Sequence, residues 1–304
     1  MAYRFRISET LGVGTRRIAR ETIDSAVLTS SRNSQPPAVR THGARKGVKK
    51  LRGLIRLVSP VSKSSEMLKD ADLILKRAAK IMARRRDDDV ILLILNKMAD
   101  EGAKGFGPRR VAGIFKELAG LDKGWTKDAG DKEDFAEFSA MISAMRRDVA
   151  AWDFQQSDLH ALDWGYIATY REARTDMLQI LEKPTDKRLH NWRRLVKYHF
   201  YHTRLLENIK AGFGNERIEK TKQLEGILGH HHDLVMLKER IRDLPKKRRR
   251  EQVYLNILKQ AKKRRRVLEV RALSLASDLF ADVPAPRLVP PSTGGEGLRE
   301  KKPA

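Results

Sequence analysis

The octapeptide His42-Gly-Ala-Arg45-Lys46-Gly-Val-Lys49 returns 148 residues later as His190-Asn-Trp-Arg193-Arg194-Leu-Val-Lys197. Arg56-Leu57 matches Arg204-Leu205 at the same offset. Upstream, Arg17, Ala19 and Arg20 match Arg171, Ala173 and Arg174 at an offset of 154. Downstream, Arg86-Asp87 matches His232-Asp233 at 146, each ahead of an apolar run. Three matches in one order, with offsets that differ by only a few residues, argue for two copies of one helical unit.

Placed on an α-helix with His42 at the origin, the first copy sorts its side chains into two arcs. Lys46 falls at about +40°, Lys49 at about −20°, Arg56 at about −40°, Arg45 at about −60° and Arg52 at about −80°. Val48, Leu51, Leu54, Ile55 and Val58 take the opposite arc, so the helix has one apolar and one cationic face. In the second copy His190, Arg193, Arg194, Lys197 and Arg204 again share an arc, and Tyr201 joins them. Phe200 stands where Arg52 stands in the first, which narrows the second cationic face. Like charges on one stripe repel, and no acids at i±4 balance the first. An extended anion would remove that penalty.

Charge says the same of the whole chain. Its 63 Lys and Arg against 39 Asp and Glu give +24, which predicts polyanionic partners and salt-sensitive association. At 304 residues it can form one large domain or two smaller ones. The absence of cysteine excludes disulfides and thiolate metal sites. No apolar run reaches the roughly 18–20 residues of a membrane span. The N-terminus, Met1 to Ile7, lacks the apolar stretch of a secretion signal. The expectation is a basic cytoplasmic protein.

Periodicity predicts an almost wholly helical chain. Residues 1–10 read as an extended arm, with Tyr3, Phe5 and Ile7 alternating against Arg4 and Arg6. The first repeat, 11–100, holds a helix from Gly12 to Leu28 carrying Arg16, Arg17 and Arg20. A second helix opens at Pro36-Pro37 and stops at Ser59-Pro60. Ser64 or Ser65 is placed to cap the third. The run Arg84–Asp89 reads as an interruption, and residues 101–134, rich in Gly, Lys and Asp, as a mobile insertion around a helix from Pro108 to Leu118. In the second repeat, 135–280, helices are expected over Asp134–Trp152, Trp164–Leu181, Thr185–Ala211, Glu216–Leu228, His232–Arg242 and Pro245–Phe280. The tail, 281–304, reads as disordered.

Other candidates are poorer. His230-His231-His232-Asp233 resembles a metal cluster, but neighbouring helical residues point about 100° apart. His199 and His202 have usable spacing, yet His199 lies on the apolar arc. Gly12-Val13-Gly14 is too little for a phosphate-cradling loop, and no metal-binding carboxylate cluster accompanies it. The reading therefore holds no catalytic residue, no cofactor and no metal. Lys246–Arg250 and Lys262–Arg266 wrap around a helix, so some of their charges face solvent.

These residues resemble the CHAD family, the conserved-histidine α-helical domain, over roughly 8–280. The family's marks are the His-x-x-Arg-Lys/Arg-x-x-Lys helix in each half and an Asp-containing turn, here Asp87 and Asp233. The resemblance implies two four-helix bundles related by a pseudo-twofold axis, with the basic helices lining a central groove or pore. It also implies binding of inorganic polyphosphate and association with polyphosphate granules. The ligand set then comprises His42, Arg45, Lys46, Lys49, Arg52, Arg56, His190, Arg193, Arg194, Lys197, Tyr201 and Arg204, with Arg17, Arg20, Arg171 and Arg174 behind them. His42 and His190 fit either of two roles, donation to phosphate or a hydrogen bond that sets helix position. The competing class is a nucleic-acid binder drawn by the same charge, non-specific because no stacking platform or helix-turn-helix signature is evident.

Overall fold

The computed structural model describes residues 3–82, 84–101, 107–119, 130–209, 215–282 and 284, with the backbone alone for 84–89 and 130–132. Eleven α-helices are described: α1 (Leu11–Ser31), α2 (Pro37–Val58), α3 (Ser65–Ile81), α4 (Arg84–Asp100), α5 (Pro108–Ala119), α6 (Gly130–Asp148), α7 (Asp163–Glu182), α8 (Asp186–Leu206), α9 (Asn215–Arg242), α10 (Lys246–Arg249) and α11 (Gln252–Leu279). No strand occurs among the described residues. An isolated antiparallel bridge joins Ser62 to Phe154.

Local chemistry accounts for most of the boundaries. Thr10 caps α1 by accepting from the Val13 amide, and Thr185 caps α8 by accepting from Arg188. Pro37 opens α2 at the position where a missing amide proton costs nothing. Ser64 stands before α3 without capping it. Its hydroxyl instead donates to the Ala151 carbonyl, which ties the start of α3 to the end of α6.

Four sequence expectations change. The Arg84–Asp89 run does not interrupt, because its backbone is the first part of α4; the run holds no proline or glycine to stop a helix. The two helices expected over 216–242 are one, α9, running straight through Gly229 and His230–Asp233. Asp233 therefore sits inside a helix and not in a turn, because the segment has no proline to stop it; the side chain of Asp87 lies outside the described residues. Conversely, the last helix is broken at Arg250–Glu251 into α10 and α11. The expected mobile insertion contains α5, whose Val111, Ile114 and Leu118 are buried. Its last residues, 130–134, are the start of α6. Residues 102–106 and 120–129 of that expectation lie outside the described residues, as do residue 283 and residues 285–304 of the tail.

Burial forms two apolar clusters. The larger draws on α1, α2, α3, α6, α7 and α8, the near end of α9 and the far end of α11, and it takes in Tyr3 and Phe5 of the N-terminal arm. The smaller joins α4 and α5 to the far end of α9 and the near end of α11. The two long helices α9 and α11 thus run through both. At the centre α2 crosses α8, with Gly53 against Tyr201, and the buried His202 donates from Nε2 to the Gly53 carbonyl at 2.9 Å. Close approach is obligatory here: a Cβ at Gly53 would lie 3.0 Å from that of Tyr201. α7 meets α2 more tightly still, since a Cβ at Gly165 would fall 1.9 Å from the Leu57 carbonyl oxygen.

Candidate anion-binding site

The crossing of α2 over α8 leaves an open cleft on either side. The first has a volume of about 840 Å³. The N-terminal half of α2 lines it with His42, Arg45, Lys46, Lys49 and Lys50, α8 with Lys197, Tyr201 and Arg204, and α9 with Lys222. Glu207, Glu219 and Glu225 are its carboxylates, and Val90, Leu93 and Phe200 form apolar wall.

Charge is crowded in this cleft. Burial, reinforced by the ammonium of Lys46 and the guanidinium of Arg204, pulls the Lys50 ammonium below the usual lysine range. An anion entering the cleft relieves that repulsion. The Lys50 Nζ also stands 4.9 Å over the ring of Tyr3, whose hydroxyl donates to the Lys50 carbonyl, so the N-terminal arm buttresses the wall. Lys197 pairs with Glu225. Burial pushes that carboxyl up, and Lys197, with help from Arg193 and Lys49, brings it below the ordinary carboxylate range. Arg45 donates to the Met82 carbonyl at 2.9 Å, tying α2 to the end of α3. Tyr201 is buried against Tyr3 with ring centroids 5.9 Å apart, and burial raises its phenol, so it stays neutral.

Arg52 and Arg56 lie beyond the crossing and face the second cleft, of about 670 Å³, with Arg194, Lys69, Lys76 and Tyr198. There they are already engaged. Arg52 donates to Asp72 at 2.7 Å, and Lys76 meets the same carboxylate at 2.8 Å. Arg56 donates to Glu172 at 2.6 Å and to the Thr169 hydroxyl at 3.0 Å. The Tyr198 ring lies under both guanidiniums.

The remaining sequence candidates stand elsewhere. His190 is paired with His232 across α8 and α9, Nδ1 to Nδ1 at 3.4 Å, and Arg193 runs beside Gly229 of α9. Burial, with Arg193 and Arg194, lowers the His190 imidazole below its usual range. Arg17 is held by Glu9 at 2.5 Å and by the Arg4 carbonyl, and Arg20 lines a shallow recess with Arg16 and Arg146. Arg174 donates to the Phe280 carbonyl at the end of α11, while Arg171 is exposed on α7. His199 is fully buried among Tyr166, Tyr170 and Phe280. Among the described residues no three His, Asp or Glu side chains gather as a metal ion requires. Nor does any helix there have the length and apolarity to cross a membrane.

Two cations of the first cleft, Lys50 and Lys222, and two of the second, Lys69 and Lys76, escaped the sequence reading. Lys50 sits at about +80° on α2, at the edge of the cationic arc. Lys222 lies on α9, outside the repeated octapeptides, and periodicity alone could have marked it only as an exposed residue.

A CHAD-domain family model matches residues 27–242. The chain belongs to the CHAD family. No curated protein matches it. Among solved structures it is similar to PptA from Streptomyces chartreusis, with a TM-score of 0.57 and 10% sequence identity, covering 90% of this chain and 100% of that one. At that identity the likeness is one of fold. The matched CHAD segment includes α2, α3, α8 and the whole of α9, and so the cationic walls of both clefts.

Proposed function

We propose that this CHAD-family chain binds inorganic polyphosphate without turning it over, and that its first cleft is the binding groove. The observation that carries the reading is convergence: Arg45, Lys46, Lys49 and Lys50 of α2 face Lys197 and Arg204 of α8 and Lys222 of α9 across one open space. A linear phosphate polymer offers charge and oxygen acceptors at short regular intervals, with no ring or base edge. Arginine answers it with a planar fork and lysine with a point charge. Cations repeating along facing helices can follow successive phosphates, and the low-dielectric walls of Val90, Leu93 and Phe200 concentrate the field between them. Within this reading His42 lies at the groove, and His190 sets the packing of α8 on α9. In cells that store the polymer, the same groove would hold the protein on polyphosphate granules.

We further propose that the two halves are copies related by a pseudo-twofold axis through the α2–α8 crossing. Gly53 and Tyr201, which touch there, are separated by the same 148 residues as the repeated octapeptides. Matching residues meet one another where a twofold axis passes.

Competition binding tests the function. A labelled long-chain polyphosphate is bound at ~0.2 M salt, where purely electrostatic DNA association is weak, and challenged with unlabelled polyphosphate or duplex DNA. Displacement by polyphosphate at far lower phosphate concentration than by DNA is expected. Equal competition would replace the reading with non-specific nucleic-acid binding. Release of orthophosphate with a divalent metal present would make the protein an enzyme.

A further inference from the structure

The two clefts are built from matching positions. At the 148-residue offset Arg56 of the second cleft corresponds to Arg204 of the first, and Arg52 to Phe200. At the 146-residue offset Lys76 corresponds to Lys222, and Asp72 to Ile218. The burial pattern follows the same register, since Leu75, Ala78 and Met82 match Thr221, Leu224 and Leu228, and all six are buried.

What differs is which cations the carboxylates hold. In the second cleft Asp72 bridges Arg52 and Lys76, and Glu172 takes Arg56. In the other copy isoleucine stands at both matched positions: Ile218, at the place of Asp72, lines the first cleft, and Ile18, at the 154-residue offset from Glu172, is buried in the main core. The first cleft keeps a carboxylate of its own, Glu225, but its partner is Lys197, whose side chain and that of Glu225 are 18% and 22% exposed. Lys222 has an acidic neighbour, Glu219, but those side chains are 61% and 66% exposed, so the pair holds little free energy. The side chains of Arg52 and Asp72 are only 24% and 25% exposed, and their pairing is correspondingly harder for an outside anion to displace. Arg56 and Glu172, at 31% and 54%, form the weaker of the two pairs.

We infer that Asp72 and Glu172 are built-in anions, whose carboxylates fill in the second cleft the places that phosphate groups take in the first. A carboxylate and a phosphate present the same pair of oxygens to a guanidinium fork. At these matched positions the duplicated fold therefore carries one open and one self-filled anion site, and the carboxylates mark where the ligand sits in the first cleft, at Arg204 and Lys222, beside the Lys197–Glu225 pair. The inference rests on the polyphosphate reading and on the proposed repeat, and it adds stoichiometry and position to them.

Isothermal titration of the full chain with tripolyphosphate at ~0.2 M salt tests it. The wild-type chain should bind one tripolyphosphate, and the double variant Asp72→Asn, Glu172→Gln should bind a second. A variant that still binds one, or a wild-type chain that binds two, overturns the inference while leaving the polyphosphate reading in place. A wild-type chain that binds neither tripolyphosphate nor long-chain polyphosphate overturns that reading itself. Should the double variant lose its helical circular dichroism, Ile218→Asp decides. Placing a carboxylate beside Lys222 in the first cleft should weaken tripolyphosphate about tenfold or more, and unchanged affinity rejects the assignment.

Discussion

Gly53 and Tyr201 touch at the point where α2 crosses α8, and a Cβ added to Gly53 would stand 3.0 Å from the Cβ of Tyr201. That contact divides one continuous cationic helix face into two sites. N-terminal to it, α2 turns His42 to Lys50 into the first cleft; Arg52, next to Gly53, and Arg56, one turn further on, belong to the second.

Close helix approach predicts a graded response to the smallest substitution. Glycine to alanine inside a helix ordinarily stabilises by about 0.5–1 kcal/mol. Gly53→Ala should lose that gain to crowding against Tyr201 and come out destabilised by about 1 kcal/mol. Gly165→Ala meets backbone at 1.9 Å and cannot be relieved by a side-chain rotation, so it should cost about 3 kcal/mol or more. Urea unfolding followed by circular dichroism measures both, and equal stabilities for the two would contradict the packing.

Charge reversal separates the cleft from the general surplus. Lys46→Glu, Lys50→Glu and Arg204→Glu together should weaken long-chain polyphosphate at least about a hundredfold, given the strength of hydrogen bonds to charged groups, with the helical spectrum retained. Arg171→Glu, on the exposed face of α7, should act mainly through the salt dependence. Fluorescence anisotropy over a salt series distinguishes the two; equal losses would place the binding surface outside the cleft.

Acid should destabilise the crossing. Burial lowers the His202 imidazole to about 3, against partial support from its bond to Gly53, and burial lowers His199 as well, with Arg217 and His202 adding to it. Both therefore stay neutral in the fold where they take protons in the unfolded chain. Between pH 6.5 and 3 the unfolded state binds the extra proton, so stability present above pH 6.5 is lost as the pH falls. His202 removes about 1.4 kcal/mol per pH unit in that window, and His199 acts in the same direction. Urea titrations at pH 7, 6, 5 and 4 should show a shallower decline for His202→Gln than for wild type, and parallel curves would refute the assignment.

The smaller apolar cluster makes α5 part of the fold. Leu118 is fully buried against it, so Leu118→Ala should cost about 2–5 kcal/mol. Hydrogen exchange should show the loss chiefly in α4 and the far half of α9. An unchanged exchange pattern would return 108–119 to the status of a loose insertion.

Several features were legible before any coordinates. The apolar arcs of α2 and α8 reported their buried faces because a 3.6-residue period fixes direction around an axis, and Thr185 and Pro37 announced helix starts through local backbone chemistry. Less was legible where the decisive partner is distant in sequence. Nothing in Arg52 or Arg56 themselves distinguishes them from Lys46, yet Asp72 and Glu172 engage them from α3 and α7. Val111, Ile114 and Leu118 looked like a short helix in a polar insertion, because the far half of α9 and the near half of α11 that cover them arrive more than a hundred residues later.

By itself, then, the sequence determined a helical chain with a duplicated His-x-x-Arg-Lys/Arg-x-x-Lys helix and a strong appetite for anions, since periodicity and net charge are properties of the covalent chain. Tertiary structure decided which of those cations converge. Helical spacing sets the angle at which a side chain leaves its helix, but the α2–α8 crossing and the carboxylates brought to it by α3, α7 and α9 decide what that side chain meets.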